Sequence, residues 1–222
     1  GWLNSIAQGV YQRPDIVRRT AGNTVDWLAV VASIQCLMGY DVHIGGKTAL
    51  TIHGFEHYLK FGLKDPAYLY GDVPGWLNRV SSNRKFQTRS CLMFKQSKLG
   101  VGESTDLTDL SKQTSVVAPG DEYWAISVSL PERAILEMLA ELPNRETFEL
   151  VDKTFEGLFS LRPDLLQELL NICSSVKVKR YFMVFGERHN HSWWKYLSPE
   201  DVNLGSGPRQ TFKGGKIHPR YL

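Results

Sequence analysis

The chain has 222 residues, of which 42% are hydrophobic and 22% charged, and its formal net charge is +3. This composition is ordinary for a soluble globular protein of one large domain or two small ones. No apolar run approaches the roughly 20 residues that a membrane-spanning helix needs, and no signal peptide is visible. The three cysteines are far apart and form no C-x-x-C pair, which argues against a disulfide framework or a cysteine-rich zinc site and favours the cytoplasm.

The first part of the chain predicts a hairpin, a helix and a short strand. Short apolar stretches around a glycine in residues 1–13 predict a hairpin-like start. The spacing of apolar residues predicts a helix over 23–38, and Gly39 supplies a C-terminal stop. Residues 42–44 then predict a short strand.

The next segment, IGGKTAL, ends like a phosphate-binding loop. Gly46, Lys47 and Thr48 fit the tail of the pattern G-x-x-x-x-G-K-[ST], in which backbone N–H groups surround a phosphate. The first glycine of that pattern is Asp41 here, and a carboxylate at this position would repel phosphate. We therefore expect Gly45 and Gly46 to shape a tight turn between the strand and a helix that starts at Lys47.

The middle of the chain predicts β structure and the last part predicts helices. Strands are predicted at the three apolar segments 67–71, 91–94 and 123–129, and a loop with one weak strand is predicted over 95–115. A capping box of Ser129 and Glu132 predicts the start of a helix that runs to Pro143. Further helices are predicted over 147–159, 163–173 and 177–189. The fold class is therefore α+β, with a short mixed sheet and helices followed by a C-terminal helical set.

The histidines do not form a convincing metal site. His189 and His191 lie at the predicted end of a helix, where side chains two apart diverge, and no cysteine or third histidine is close in sequence. His53 and His57 lack the glutamate of H-E-x-x-H, so they and His43 are expected to be core or surface residues.

No nucleophile signature is present, since the chain has no G-x-S-x-G elbow. The acidic pair Asp121 and Glu122 precedes a predicted strand, and it keeps a metal-dependent nuclease or a nucleotide-handling enzyme as the alternative function. We expect no catalytic residue, no metal and no cofactor.

The C-terminal fifth of the chain is basic. Residues 177–222 hold nine Lys/Arg and three acids, a net charge of +6, so the rest of the chain has a net charge of −3. On a helix, Lys177, Arg180 and Arg188 would form an exposed row of cations opposite an apolar stripe. Such a row suits contacts to phosphates, and a solubilising face is the other interpretation. The residues that we predict to bind nucleic acid are Arg13, Lys177, Arg180, Arg188, Arg209, Lys213 and Lys216.

Several sequence phrases occur in a characteristic order from one end of the chain to the other. They are GVYQRP, HIGGKTALTIHGFEHYL, SLPERAILEML, the long run from FEGLFSLRP to RHNHSWW, and LGSGPRQTFKGGKIHPRY. In this combination the chain resembles the AbiEi-type antitoxins of type IV toxin–antitoxin systems, which are bacterial abortive-infection proteins that act in phage defence.

The resemblance implies that this protein is an antitoxin and a transcriptional regulator rather than an enzyme. One partner would be operator DNA, bound through a winged helix-turn-helix domain. The other would be a nucleotidyltransferase-like toxin, and the resemblance leaves open whether the antitoxin contacts it directly. No membrane partner is expected. On this interpretation, residues 1–15 are the wing and linker that remain of an otherwise missing N-terminal domain. Residues 16–222 are the antitoxin domain, with an α/β part over 16–128 and a mainly helical basic part over 129–222.

Overall fold

The structure is a computed structural model that describes residues 4–7, 10–12, 25–55, 65–104 and 125–206. The chain divides into two compact units. Unit 1 holds residues 1–44, 62–89 and 103–127, and unit 2 holds residues 45–61, 90–102 and 128–222.

The described residues contain six α-helices and seven strands. The helices are α1 (Trp27–Ala32), α2 (Gly46–Ile52), α3 (Pro131–Ala140), α4 (Phe148–Gly157), α5 (Pro163–Ile172) and α6 (Val176–His189). The strands are β1 (Asn4–Ala7), β2 (Val10–Gln12), β3 (Val42–Ile44), β4 (Ala67–Gly71), β5 (Phe86–Arg89), β6 (Val101–Ser104) and β7 (Ile126–Ser129). The strands and helices confirm the predicted α+β class.

The two sheets differ in size. Strands β1 and β2 pair antiparallel, which confirms the predicted hairpin. The larger sheet has the order β5-β4-β3-β7-β6. Strand β3 pairs antiparallel with β4, and β4 pairs parallel with β5, so the sheet is mixed as predicted. Strand β4 is buried at four of its five residues, as its apolar sequence AYLYG requires.

In unit 1, the helix predicted over 23–38 begins at Trp27, four residues later than expected. Asp26 caps α1, and its carboxylate accepts a hydrogen bond from the Ala29 N–H at 3.3 Å. After Ala32 the helix widens into a π-helix, Ser33–Leu37, before Gly39 adopts a left-handed φ of +68°. The buried face of α1 supplies much of the core of unit 1.

In unit 2, α2 to α6 enclose a second apolar core. Prolines at the first helical positions of α3 and α5 fix the start of each helix. The apolar stripe predicted on α6 is confirmed, since Val178 and Phe182 are fully buried and Phe185 is 5% exposed. The ring of Phe155 on α4 packs against the rings of Phe182 and Phe185, at centroid distances of 5.7 and 5.1 Å.

Two local predictions are wrong. The apolar segment Cys91–Phe94 is a 3-10 helix rather than a strand, because the Ser90 hydroxyl caps it and Lys95 ends it in the left-handed region. The capping box is also absent. Ser129 belongs to β7, and the N-cap residue of α3 is Leu130, which makes no side-chain capping bond.

Among the described residues, none of the helices combines the length and the apolar character that crossing a membrane requires.

Candidate functional site

The GGKT turn holds an anion, and that anion is a carboxylate of the protein itself. Gly45 precedes α2 in an extended conformation, and Gly46 follows with a φ of +54° that favours glycine. The Gly46 N–H donates to Oε2 of Glu137 at 2.9 Å, in a fully buried contact. Lys47 places its Nζ 3.9 Å from a carboxylate oxygen of Glu146. The backbone donor that a phosphate-binding loop would offer to a nucleotide is therefore used within the fold.

Glu137 lies at the centre of a buried polar network in unit 2. Besides the Gly46 N–H, it accepts a hydrogen bond from the Ser129 hydroxyl at 2.8 Å and one from Arg133 Nε at 2.9 Å. Glu137 and Arg133 are 0% and 1% exposed. A buried ion pair of this kind is stable only when further hydrogen bonds satisfy both charges.

Arg133 meets that condition through the segment before β6. Its Nη1 donates to the carbonyl oxygens of Ser97 and Leu99, at 2.7 and 2.8 Å. Its guanidinium carbon lies 4.5 Å from the centre of the Phe94 ring, in a cation–π contact. The network thus joins α2, β7, α3 and residues 94–99, and its solvent exclusion fits a structural role.

A second ion pair explains why the capping box fails. Glu132 does not reach back to Ser129, because its two carboxylate oxygens accept three hydrogen bonds from Arg162, one from the backbone N–H and two from the guanidinium. Burial, the largest influence, raises the pKa of Glu132, but the hydrogen bonds from Arg162 outweigh it and the pKa is lowered.

The two C-terminal histidines are held by protein groups. His189 Nε2 lies 2.8 Å from Oδ1 of Asp152, and His191 Nε2 lies 2.6 Å from the carbonyl oxygen of Phe155. Asn190 between them takes the left-handed conformation that ends α6. In the described parts of the chain, no group of three or more His, Cys, Asp or Glu side chains is placed to hold a metal ion.

The other residues considered for metal or nuclease chemistry are scattered. His43 stacks on Tyr70 at a centroid distance of 5.7 Å, and His53 Nε2 lies 2.9 Å from the Ser129 carbonyl oxygen. His57, Asp121 and Glu122 lie outside the described residues. The described histidines thus have structural contacts in separate places.

The row of exposed cations predicted on α6 is not present in that form. Arg180 is 5% exposed, and its Nε donates to the Leu204 carbonyl oxygen at 2.7 Å. Lys177 donates from Nζ to the carbonyl oxygens of Ala140 and Leu142, both at 2.9 Å, where α3 ends. Burial lowers the pKa of Lys177, and the charge of Glu141 opposes this effect.

Lys177 and Arg188 are both exposed, unlike Arg180. The Arg188 side chain is 66% exposed, and its Nη2 lies 3.1 Å from Oδ2 of Asp152. Helical spacing did not predict that Arg180 is buried, because its hydrogen-bond partner Leu204 lies 24 residues further along the chain. Arg13, Arg209, Lys213 and Lys216 lie outside the described residues. Nucleic-acid binding by the seven predicted cations stays a prediction.

A second basic segment escaped the sequence analysis. Residues 73–102 contain no Asp or Glu, and they contain six Lys/Arg, which are Arg79, Arg84, Lys85, Arg89, Lys95 and Lys98. The signal for this segment is in the sequence, because its net charge of +6 equals that of residues 177–222. Four of these cations, from Arg79 to Arg89, belong to unit 1.

Comparison with protein families matches almost the whole chain. Residues 67–222 match the model described as "Transcriptional regulator, AbiEi antitoxin, Type IV TA system". Residues 1–61 match the model described as "Transcriptional regulator, AbiEi antitoxin N-terminal domain". The interpretation that only a remnant of the N-terminal domain remains, over residues 1–15, is therefore wrong. Searches of curated proteins and of solved structures gave no match.

Proposed function

Because this chain belongs to the family of AbiEi antitoxins, which are transcriptional regulators of type IV toxin–antitoxin systems, we propose that it represses its own operon by binding operator DNA and counteracts a nucleotidyltransferase-like toxin. The observation that carries this proposal is that two models of one family follow each other along the chain, over residues 1–61 and 67–222. We further propose that it acts in the cytoplasm and without enzymatic chemistry of its own.

The N-terminal match favours residues 1–61 as the part that reads operator sequence. The antiparallel hairpin of β1 and β2 fits the wing of a winged helix, since such a ribbon can follow a groove or the phosphate backbone. The Tyr11 side chain in β2 is 61% exposed, which leaves it accessible to a partner.

Basic side chains in other parts of the chain would add contacts to phosphates, which position a protein on DNA without reading its sequence. We propose this role for Arg13, Arg188, Arg209, Lys213 and Lys216. Lys177 and Arg180 are weaker candidates, because both already donate to carbonyl oxygens of the fold. Each lost phosphate contact should lower the steepness with which affinity falls with salt.

A promoter reporter and a toxin rescue assay test the two halves of the proposal separately. The reporter carries the operon's own upstream region, and we expect the full chain to lower its expression. Co-expression with the toxin encoded in the same operon should restore growth. Repression without rescue would leave a regulator that is not an antitoxin, and rescue without repression would remove operator binding from the proposal.

An incubation of the purified chain with labelled DNA, RNA and nucleoside triphosphates in the presence of Mg²⁺ or Mn²⁺ tests the absence of enzymatic activity. We expect all three substrates to remain intact. Turnover of any of them would contradict a purely binding function, provided that substitution of one side chain of this protein abolishes the turnover.

A further inference from the structure

Unit 1 carries a cationic surface on a segment that contains no acid. The four basic residues run from Arg79, the last residue of a 3-10 turn (Leu77–Arg79), to Arg89, the last residue of the edge strand β5. No Asp or Glu occurs between Asp72 and Glu103. The positive charge of this segment is thus not neutralised by neighbours in sequence, in contrast to α6, where Glu187 precedes Arg188.

Two of the four cations are used by the fold. The Arg84 guanidinium carbon lies 5.2 Å from the centre of the Trp27 ring, and that of Arg89 lies 5.8 Å from the centre of the Tyr68 ring. Burial lowers the pKa of Arg84 to about 10, while the charges of Asp65 and Asp26 oppose the shift. The side chains of Arg84 and Arg89 therefore attach the segment to aromatic residues of unit 1.

The other two cations, Arg79 and Lys85, are exposed to solvent. The backbone that carries them is fixed. The N–H of Val25 donates to the Ser81 carbonyl oxygen, and the N–H of Asn83 donates to the Val25 carbonyl oxygen, both at 2.9 Å. The carbonyl oxygen of Lys85 accepts from the Ala67 N–H at 2.8 Å. A fixed backbone presents both charges with little loss of chain entropy on binding.

Asn83 strengthens this attachment between the two cations. Its side-chain oxygen accepts a hydrogen bond from the Trp27 N–H at 2.8 Å, and its amide donates to Asp26 at 3.0 Å. The loop between Arg79 and Lys85 is therefore tied to the start of α1 through both its backbone and a side chain.

From this geometry we propose that Arg79 and Lys85 form a phosphate-contacting surface of unit 1, and that its ligand is the sugar–phosphate backbone of the operator duplex. The proposal rests on the proposed function, and it adds a DNA contact within the part of the chain that matches the second family model, residues 67–222. Six residues of extended chain span at most about 21 Å. One strand of a duplex carries several charges over that length, one about every 3.4 Å.

A duplex fits this surface better than an acidic protein does. A stable protein–protein interface has an apolar centre surrounded by a polar rim. The large exposed apolar side chains described in unit 1 are Tyr11, Leu37 and Met38, none of which belongs to residues 73–89. Cations without an apolar centre are typical of phosphate contacts, which require charge and little buried area.

The test compares the full-length chain with the variant Arg79→Gln/Lys85→Gln, which removes two charges. The matched control Lys153→Gln/Lys195→Gln removes two exposed charges from unit 2. Affinity for a labelled duplex from the operon's upstream region is measured by fluorescence anisotropy across a salt series. Thermal unfolding of all three proteins shows whether each variant keeps its fold.

We expect the slope of log affinity against log salt to fall by about 1.8 in the Arg79/Lys85 variant, and affinity at about 0.1 M salt to fall by at least tenfold. The control should keep the slope of the unsubstituted protein. An unchanged slope in a folded Arg79/Lys85 variant would overturn the inference while leaving the proposed function intact. A failure of the unsubstituted chain to bind the duplex even at low salt would overturn both.

A single-stranded RNA of the same length serves as the second ligand. Equal losses of affinity for RNA and duplex would keep the phosphate contact but show that it does not select the operator. A loss confined to RNA would contradict the assignment of the duplex as ligand. Should the double variant unfold, the single variant Lys85→Gln gives the same comparison. Residue 85 is exposed and contacts the fold through its backbone carbonyl, so the substitution should be tolerated. The expected change in slope is then about 0.9.

Discussion

The carboxylate of Glu137 lies 2.9 Å from the backbone nitrogen of Gly46 and 2.9 Å from Nε of Arg133, so one buried anion joins the start of α2 to α3. This relationship explains a sequence that looks like a phosphate-binding loop in a protein of a regulator family. The backbone N–H of the turn binds an oxygen anion, and that anion is the carboxylate of Glu137 on α3.

Glu137→Gln tests how much the fold depends on this anion. The substitution keeps the volume but leaves the charge of Arg133 buried without a counter-ion, so we expect a loss of about 3–5 kcal/mol in the free energy of unfolding. The measurement is urea denaturation. Glu149→Gln is the control, because the Glu149–Lys153 pair is exposed to solvent and should contribute little to the free energy of unfolding. Similar small losses in both variants would show that the buried network is dispensable.

The pair of Glu132 and Arg162 predicts a pH dependence. Because the pKa of Glu132 in the folded protein lies below its ordinary value of 4.5, the pair stabilises the fold fully above that value. The stabilisation is lost as pH falls through the lowered pKa. Arg162→Met should therefore reduce the free energy of unfolding by about 1–3 kcal/mol at pH 7, with the difference from the unsubstituted protein shrinking as the pH falls below 4.5. A difference that stays constant over this range would assign the loss to packing rather than to charge.

Local patterns predicted the elements of this fold better than the partners of its polar side chains. The apolar stripe of α6 followed from helical spacing, because burial of Val178 and Phe182 depends on periodicity alone. Ser129 and Glu132 have the spacing of a capping box, but each finds another partner: Glu137, eight residues after Ser129, and Arg162, 30 residues after Glu132. Such tertiary hydrogen bonds override a local motif and leave no trace in a short window of sequence.

The same limit applies to the candidate site. Helical geometry places Arg180 near Lys177, but only the path of residues 202–206 decides that Arg180 is covered. The positive surface near Arg79 and Lys85 was within reach of sequence reasoning, because the absence of acids over 73–102 needs no structure. The structure was needed to tell which of those cations are exposed, since Trp27 and Tyr68, from distant parts of the chain, contact two of them.

Gly71→Ala is expected to destabilise unit 1. Gly71 ends β4 with a φ of +122°, and a Cβ there would lie 2.1 Å from the backbone oxygen of Asp41. Since neither the strained φ nor a backbone atom can adjust cheaply, we expect a loss of at least about 2 kcal/mol in the free energy of unfolding. Gly75→Ala is the matched control, because a Cβ there meets no atom within 4 Å. Equal stability of the two variants would show that residues 71 and 41 separate easily.

Arg180→Met separates a structural cation from a DNA-binding one. Its loss removes the hydrogen bond to the Leu204 carbonyl oxygen, so we expect the free energy of unfolding to fall by about 1–3 kcal/mol. The salt dependence of operator binding should stay as in the unsubstituted protein, because Arg180 is only 5% exposed and cannot release counterions from a phosphate. Arg188→Met provides the opposite case: it breaks an exposed pair with Asp152 and should cost less than about 1 kcal/mol in stability. If Arg188 contacts phosphate, its removal lowers the slope of log affinity against log salt by about 0.9. A lower slope for Arg180→Met, in a protein that remains folded, would mean that segment 202–206 moves away when DNA binds and exposes the guanidinium.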